Sequence, residues 1–480
     1  MTGLELLGMV MLIVMLGAIF IGIPISLTLL FLALIFGLIG LGPVVFDLAY
    51  LQTIGMMKQD EFVAVPMFIL MGYICDQAGL MERLFVAFRD LFAPVRGALY
   101  LVVLLTATLF GIAAGTVGAT VVLLGVMAGP MMIKSGYDAR LSAGAITAGG
   151  TLGILIPPSV MLVVMGPVLG VSVAKLYEAA FGPGFLLSGM YIAYCMGRSF
   201  LNPKLGPPVP PEDRPKSWKP VVWECLLGMV PVTVLTIATL GVIIIGLTTA
   251  TEAASLGALG AILMVIAYRR FTWKGLFAAC QSTLTSTAMV LFLATTSNIF
   301  GAVFARMGTA NWITNSLLSV PVPPIGTMAL LLTLIFLLGW PFEWPAIVLI
   351  FLPMLAPVAA GLNYDMVFFG TLVAVVLQTA FLSPPVAMSA YYLKQVVSQW
   401  SLATIYKGMA DFMVIQCIAV ALVVAFPAIA MWLPEWLEGT EHLPAPLTPE
   451  EASSAERSRD LLEQGDVMTP SGEEAPGSRK

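Results

Sequence analysis

The sequence predicts an all-α polytopic membrane protein built from two inverted repeats, each with a re-entrant helical hairpin and a broken helix. Three observations predict it. The 480-residue chain is 59% hydrophobic and only 10% charged, against roughly 25% charged in soluble globular chains. The stretches 6–46, 97–133, 141–174, 225–251, 275–305, 307–342 and 366–393 contain no Asp, Glu, Lys or Arg, and a helix needs about 20 apolar residues to cross the hydrocarbon core. One pattern of glycines and prolines also occurs twice. Lipid offers the backbone no water, so spanning segments satisfy their amides internally as helices. The composition excludes a soluble enzyme. With 22 basic against 27 acidic residues there is no basic footprint, so no nucleic acid is expected as a partner.

Residues 6–20 and 23–41 read as two helices broken near Gly22-Ile23-Pro24. The opening MTGLELLGMVMLIVMLG lacks a basic region and a small-residue cleavage site, so it reads as a span that stays. A shorter helix at 62–75 precedes an amphipathic stretch, 81–94, carrying Glu82, Arg83, Arg89 and Asp90; such a stretch lies flat on a membrane surface. The first repeat, within 1–200, continues with a hairpin at 98–133, a broken helix at 139–173 and a helix at 180–200. The segment LNPKLGPPVPPEDRPKSWKP (201–220) is Pro-rich and charged, an exposed cytoplasmic linker. The second repeat, within 221–432, has helices at 221–247, 251–268 and 282–303, a hairpin at 327–359, a broken helix at 366–394 and a last helix at 409–433. Residues 433–480, rich in Pro, Glu and Ser, read as a disordered tail.

Basic residues gather on the cytoplasmic side of a membrane protein. With the linker placed there, counting spans outward puts Arg83, Arg89, Arg96, Lys134, Arg140 and most of the 22 basic residues beside it. The count works only if 98–133 and 327–359 each enter and leave on one side. It puts both termini on the outer side.

The repeat is read directly from the residues. Met127, Pro130, Tyr137-Asp138, Leu155, Pro157-Pro158 and Met161 recur, at one constant offset and without a gap, as Met354, Pro357, Tyr364-Asp365, Leu382, Pro384-Pro385 and Met388. The charge count puts Tyr137-Asp138 on the cytoplasmic side and Tyr364-Asp365 on the outer side, so the copies are inverted. Inverted repeats with broken helices meeting near the midplane are an architecture of secondary transporters.

Four segments interrupt helices at membrane depth: Gly111–Thr120, Gly149–Ser159, Gly339–Pro345 and Gln378–Pro385. Proline lacks an amide donor and clashes with the preceding turn, which frees carbonyls that cost several kcal/mol each in a dry core unless something binds them. A desolvated Na⁺ takes such oxygens together with Ser and Thr hydroxyls, and half-helix N-termini favour an anion. The pattern therefore predicts two cation sites, each pairing a hairpin tip with the following broken helix, beside a shared substrate site. The alternative is that these glycines only allow close helix packing and the prolines only kink helices.

Glu343, at the second tip, aligns with Thr116 in the repeat. It adds charge to a cation site or takes up a proton, or else lies solvated near the outer surface. Glu252 reads as an acidic residue complementing the dipole at a helix start. Cys75, Cys195, Cys225, Cys280 and Cys417 form no CxxC or Cys/His pattern, and the single histidine, His442, lies in the polar tail. A histidine-based zinc site or a Ser-His-Asp triad within the membrane is excluded, so the chain reads as a non-enzyme with no organic cofactor.

The segments EFVAVPMFILMGYICDQAGLMERL, GIAAGTVGAT, GYDARLSAGAITAGGTLGILIPPS, FGPGFL, TATEAASLG and LQTAFLSPPVAMSAYYLK together resemble the DctM-like large membrane subunit of TRAP (tripartite ATP-independent periplasmic) transporters, from about residue 5 to 432. The resemblance implies an elevator-type, Na⁺-driven importer of organic acids such as dicarboxylates or 2-oxo acids, in a bacterial inner membrane and surrounded by lipid. It implies a small four-helix membrane subunit and a periplasmic substrate-binding protein as partners. The cation regions of the family map onto the tips and breaks. The first Na⁺ site then draws on Gly115, Thr116, Gly118, Gly150, Gly153 and Pro157, and the second on Trp340, Glu343, Gln378, Thr379, Ser383 and Pro384. Thr120, Thr151 and Ser159 are the candidate substrate contacts. The chain departs from the family at Ala114-Gly115-Thr116, where Ser-Gly-Ser is common, and at Leu377–Leu382, which lacks the usual Asn-Xaa-Xaa-Ile-Gly. An H⁺-coupled carrier of the same architecture and an uncoupled channel are the competing readings.

Overall fold

The computed structural model describes residues 2–114, 117–209, 214–215, 217–384 and 387–438. Two units separate, Met1–Pro434 and Glu435–Lys480; of the second, only the end of a helix through Glu438 is described. Among the described residues every regular element is helical.

The chain opens with α1 (Gly3–Ile21), α2 (Ile25–Leu41) and α3 (Val44–Met57). Thr2 and Glu5 form a capping box at the start of α1, satisfying two of the orphan amides there. Sequence patterning did not indicate α3. Next come α4 (Ala64–Gln77) and the amphipathic α5 (Leu80–Phe92), with a 56° bend between them. Gly79 makes this corner at φ +67°, and a Cβ there would strike the Arg270 guanidinium at 2.0 Å. Helix α5 buries Leu80, Met81, Leu84, Phe85, Ala87 and Phe88 and keeps its charges outward, with Arg89 on Asp90 at 2.6 Å and Arg270 reaching Glu82 at 3.5 Å.

The first hairpin is α6 (Ala98–Ala114) and α7 (Val117–Lys134). Its two ends meet. The Tyr100 and Tyr137 rings lie 4.9 Å apart edge to face, and the Leu99 amide donates to the Tyr137 hydroxyl at 3.3 Å. The linker start joins them: the amides of Gly97 and Asp138 donate to Gly206 and Leu205 at 2.9 and 3.1 Å. The hairpin thus enters and leaves on the linker's side. The first part of the expected exposed linker is docked rather than free, with Val209 buried and its amide on Ala93, because these carbonyls and amides complete the hairpin's base.

The first broken helix is α8 (Ala139–Thr151), a 3₁₀ turn at Leu152–Ile154 and α9 (Val160–Leu169). Gly170 ends α9 in the left-handed region at φ +67°, so α10 (Val173–Leu201) begins earlier than residue 180. After the linker come α11 (Trp218–Thr236), which continues through a π turn at 237–241 into α12 (Val242–Ile244), and α13 (Ala250–Ala267). The Glu252 carboxylate accepts from the Thr249 amide in a capping box at the α13 start, the helix-start position read from sequence. Helix α14 (Trp273–Arg306) has 34 residues, about 51 Å at 1.5 Å per residue. Its start docks at the end of α4, where Gln77 donates to the Gly275 carbonyl at 2.8 Å. Its far end passes to α15 (Thr309–Leu318), also absent from the sequence reading.

The second hairpin has α16 (Pro324–Leu338) as one arm. The other arm is α17 (Trp344–Ala346), a π turn at 347–351 and α18 (Leu352–Gly361). A Cβ on Gly361 would lie 2.8 Å from the side chain of Leu318, just before the first arm. This hairpin therefore also closes on itself, at the opposite end of α14 from the first. Then follow α19 (Met366–Leu377), a 3₁₀ turn at Gln378–Phe381, α20 (Met388–Val396), α21 (Leu402–Ala425) and α22 (Ala428–Glu438); α22 runs past residue 433, where the tail was expected to start. Among the described residues, eight helices are long and apolar enough to cross a membrane, or nine if the bent pair α4–α5 counts as one span. Helices α1, α2, α11 and α13 expose large apolar side chains such as Phe20, Phe31, Trp223 and Leu263, as a lipid-facing surface requires.

Candidate functional site

Both double-proline stretches break their helices. Helix α8 has 13 residues and α9 has 10, each too short to cross about 30 Å of hydrocarbon alone. The two breaks are built alike. Asp138 caps α8 by accepting from the Leu141 amide, and Asp365 caps α19 by accepting from the Phe368 amide, both at 2.8 Å. Pro157 and Pro384 bring no amide, so the carbonyls four residues earlier, on Gly153 and Ala380, lose their helical donors. Each of these residues is met by its own hairpin's first arm. A Cβ on Gly111 would lie 2.8 Å from the Gly153 Cα, and a Cβ on Gly339 2.8 Å from the Ala380 Cβ. The copies are therefore equivalent in space as well as in sequence.

The site residues read from sequence are placed as follows. Gly115 and Thr116 lie outside the described residues, as does Pro385. Gly150 packs against the α7 backbone, where a Cβ would meet the Val121 amide nitrogen at 3.2 Å. Gly153 is at the break, and buried Pro157 follows it. Gly118 stands apart from them, its Cα side against the Tyr392 ring. In the second repeat, Gln378 and Thr379 start the break; Thr379 donates to the Val376 carbonyl at 2.6 Å. Gln378 and Ser383 are buried, and neither the Gln378 Nε2 nor the Ser383 Oγ has a hydrogen-bond partner. Pro384 and Trp340 are exposed, the latter against the Phe336 ring. Ser159 caps α9, donating to the Ile154 carbonyl freed in the break and accepting from the Leu162 amide. Thr151 donates to the Ala148 carbonyl at 2.8 Å, and Thr120 is buried on α7.

Between the repeats lies a cavity of about 230 Å³, lined by Val117 and Gly118, Ile154 and Val160, Glu343 to Pro345, Phe381, Met388 and Tyr392, and closed by Ile69, Ser286, Met289 and Val290 of α4 and α14. It shares Glu343 to Pro345, Phe381, Met388, Met289 and Val290 with a neighbouring cavity of about 410 Å³ that reaches Pro24. Four helices begin at its wall: α7 at Val117, α9 at Val160, the second hairpin's inner arm at Trp344 and α20 at Met388. Each helix N-terminus carries about half a positive charge and free amides. Among the described residues, no Lys, Arg or His lines either cavity. Thr120, Thr151 and Ser159 do not line them either.

Sequence reasoning missed Tyr392, Ser286 and Tyr73. The Tyr73 hydroxyl meets the Ser286 hydroxyl at 3.2 Å, joining α4 to α14 beside the cavity. The run Gln281-Ser282-Thr283-Leu284-Thr285-Ser286-Thr287 was the available signal: polar residues in the middle of an apolar helix. What these walls offer chemically is dipolar attraction of an anion by four helix N-termini, with the Glu343 carboxyl in the same wall. No group of three His, Cys, Asp or Glu side chains gathers among the described residues, so they offer no set of ligands of the kind that holds Zn²⁺ or Fe.

Comparison with known proteins follows the same line. Residues 9–429 match the family described as tripartite ATP-independent periplasmic transporter, DctM component. The chain is 30% identical over 433 residues to the sialic acid TRAP transporter large permease protein SiaM of Vibrio cholerae, covering 88% of this chain and 97% of that one. It is 28% identical to the C4-dicarboxylate TRAP transporter large permease protein DctM of Rhodobacter capsulatus (87% and 96% covered). It is 26% identical to the ectoine TRAP transporter large permease protein TeaC of Halomonas elongata (88% and 98%). Among solved structures, the Alcanivorax borkumensis YdaH transporter shares the fold, with a TM-score of 0.59 at 16% identity over 82% of this chain and 89% of that one.

Proposed function

Since the chain belongs to the DctM component family of TRAP transporters, as a multi-pass bacterial inner-membrane permease subunit and not an enzyme, we propose that it is the large permease of a Na⁺-coupled, elevator-type importer of organic acids. The observation that carries this reading is the meeting of four helix N-termini on one cavity without a cationic side chain. Such a wall attracts a carboxylate through dipoles and amides alone. The coupling ions occupy the two equivalent places where a hairpin meets a proline-freed carbonyl, Gly153 and Ala380, with Ser383 supplying a hydroxyl at the second. Glu343 faces the cavity and repels an anion until a bound cation neutralises it, which orders the binding: cation first, acid second. The partners are a small four-helix membrane subunit and a periplasmic binding protein that delivers the acid. The relatives are named for sialic acid, C4-dicarboxylate and ectoine, so the cavity walls and the delivering protein together set the particular substrate.

The test is uptake into proteoliposomes holding the chain with its small subunit and binding protein, the substrate having been found by thermal-shift screening of that binding protein against small organic acids. An inward Na⁺ gradient should drive accumulation. Uptake of equal extent with neither a Na⁺ nor an H⁺ gradient refutes a coupled carrier. Glu343, the one acidic side chain lining the cavity among the described residues, favours H⁺ coupling as the second reading; accumulation driven by a pH gradient in Na⁺-free buffer would select it.

A further inference from the structure

The proline breaks of the two repeats touch each other through one pair of side chains. Thr151 Oγ1 faces Gln378 Oε1 at 3.4 Å, and the two residues are 227 apart, the offset of the repeat. A residue in contact with its own repeat equivalent lies on the pseudo-twofold axis. Two further side chains close on this point from helices outside the breaks. The Tyr191 hydroxyl of α10 is directed at Thr151 and at Gln416 of α21. All four residues are fully buried. Among them, the Gln378 Nε2 has no hydrogen-bond partner.

The surrounding packing fixes these side chains in place. The Tyr191 and Phe412 rings meet edge to face at 5.2 Å. Helices α8 and α21 approach so closely that a Cβ on Gly144 would lie 2.7 Å from the Gly408 carbonyl oxygen. Arg140 pairs with Asp411 at 2.5 Å across the same two helices.

We propose that Thr151, Gln378, Tyr191 and Gln416 form a buried polar node on the pseudo-twofold axis that couples the two cation-binding breaks, with Tyr191 and Gln416 as its positioning residues. The inference rests on the two-cation reading above. Thr151 ends α8 two residues before Gly153, and Gln378 opens the second break two residues before Ala380. A cation that draws the Gly153 carbonyl towards the hairpin moves the last turn of α8, and with it the Thr151 hydroxyl that Gln378 meets. Tyr191, itself set by Gln416 and the Phe412 ring, holds the Thr151 hydroxyl in the orientation that passes this shift to Gln378. Coupling of this kind is reciprocal, so each ion favours the other.

The test is equilibrium binding of ²²Na⁺ to the purified full chain and to Tyr191→Phe and Gln416→Met. Tyr191→Phe removes one oxygen and keeps the ring packing; Gln416→Met keeps the side-chain volume. Wild type should bind cooperatively, with a Hill coefficient approaching about 2, and both variants should fall towards about 1 with the number of ions bound unchanged. A variant whose midpoint moves while its Hill coefficient stays at the wild-type value shows a merely structural role and overturns the node. Non-cooperative binding by wild type overturns it as well. Should Gln416→Met fail to fold, Tyr191→Phe decides alone. Absence of any Na⁺ binding by wild type removes the Na⁺ reading itself, and the node with it, which separates the two failures.

Discussion

Replacing Gly111 by alanine tests the backbone contact between the first hairpin and its break. The new Cβ would lie 2.8 Å from the Gly153 Cα and 3.1 Å from its amide nitrogen. Carbon atoms settle at about 3.5–4.0 Å, so the first tip must retreat by roughly 0.7–1.2 Å, because neither backbone neighbour can rotate aside. Overpacking of this kind costs about 1–3 kcal/mol, and the helical gain of alanine over glycine returns about 1 kcal/mol of it. The stability loss is therefore small, no more than about 2 kcal/mol. The functional loss should be large, since a misplacement of about 1 Å at a binding constellation can cost on the order of 10²-fold. Thermal unfolding and the Na⁺ dependence of uptake are measured on the same preparation. Gly189→Ala is the control, because nothing lies within 4 Å of a Cβ there. We expect Gly111→Ala to unfold within a few degrees of wild type and to need far more Na⁺, and Gly189→Ala to behave as wild type. Wild-type Na⁺ dependence in Gly111→Ala would show that this contact only packs helices, and the tip-and-break site would be lost.

Three further predictions follow from the same geometry. Ser383→Ala removes a buried hydroxyl that has no partner, so the thermal midpoint should hold or rise while the Na⁺ requirement increases about tenfold, equivalent to roughly 1.4 kcal/mol of ion binding. Asp138→Ala and Asp365→Ala each delete one cap at 2.8 Å, and each should lower stability by about 1 kcal/mol; a large inequality between them in denaturant titrations would contradict the structural equivalence of the repeats. Glu343→Gln removes the charge that opposes the anion, so substrate affinity measured by isothermal titration should become less dependent on Na⁺. An unchanged Na⁺ dependence would exclude Glu343 from the coupling.

What the sequence made legible is tied to backbone chemistry. A proline pair frees carbonyls wherever it falls in a helix, so both breaks were readable from Pro157-Pro158 and Pro384-Pro385, and the aligned Tyr-Asp pairs located the ends of the hairpins. Polarity misled where side chains satisfy themselves. The reading started this helix at residue 282, at the edge of the polar run 281–287, and so missed α14 from Trp273, although a hydroxyl such as that of Thr285 donates back to the Gln281 carbonyl at 3.0 Å and is tolerated in a helix by doing so. Helices α3 and α15 were invisible because Asp47, Gln52 and Thr53 in one, and Thr309, Asn311, Thr314 and Asn315 in the other, interrupt short apolar patterns. Ser159, a candidate substrate contact in the sequence, also caps the next helix, a role that a serine at a helix start is suited to. Tyr392, Tyr191 and Gln416 are single polar residues without a local motif, and only the meeting of distant helices gives them a role.

The interlocking of the repeats explains how ion and acid can depend on each other without touching. Each hairpin's first arm rests on its own repeat's break, at Gly111 with Gly153 and at Gly339 with Ala380. The second arms cross over. Helix α7 lies against α20 of the other repeat, where glycines admit the neighbour's side chains: a Cβ on Gly118 would meet Tyr392 at 3.1 Å, on Gly125 Val396 at 2.7 Å, and on Gly129 Val397 at 2.6 Å. The inner arm of the second hairpin packs in turn against α9. A tip drawn onto its break therefore also pulls on the far half-helix of the opposite repeat, and those half-helices, α9 and α20, supply two of the four N-termini facing the cavity. On the proposed reading, filling either cation site adjusts the walls that hold the acid from both sides, so an anion pocket with no cationic side chain becomes competent only when its ions are in place.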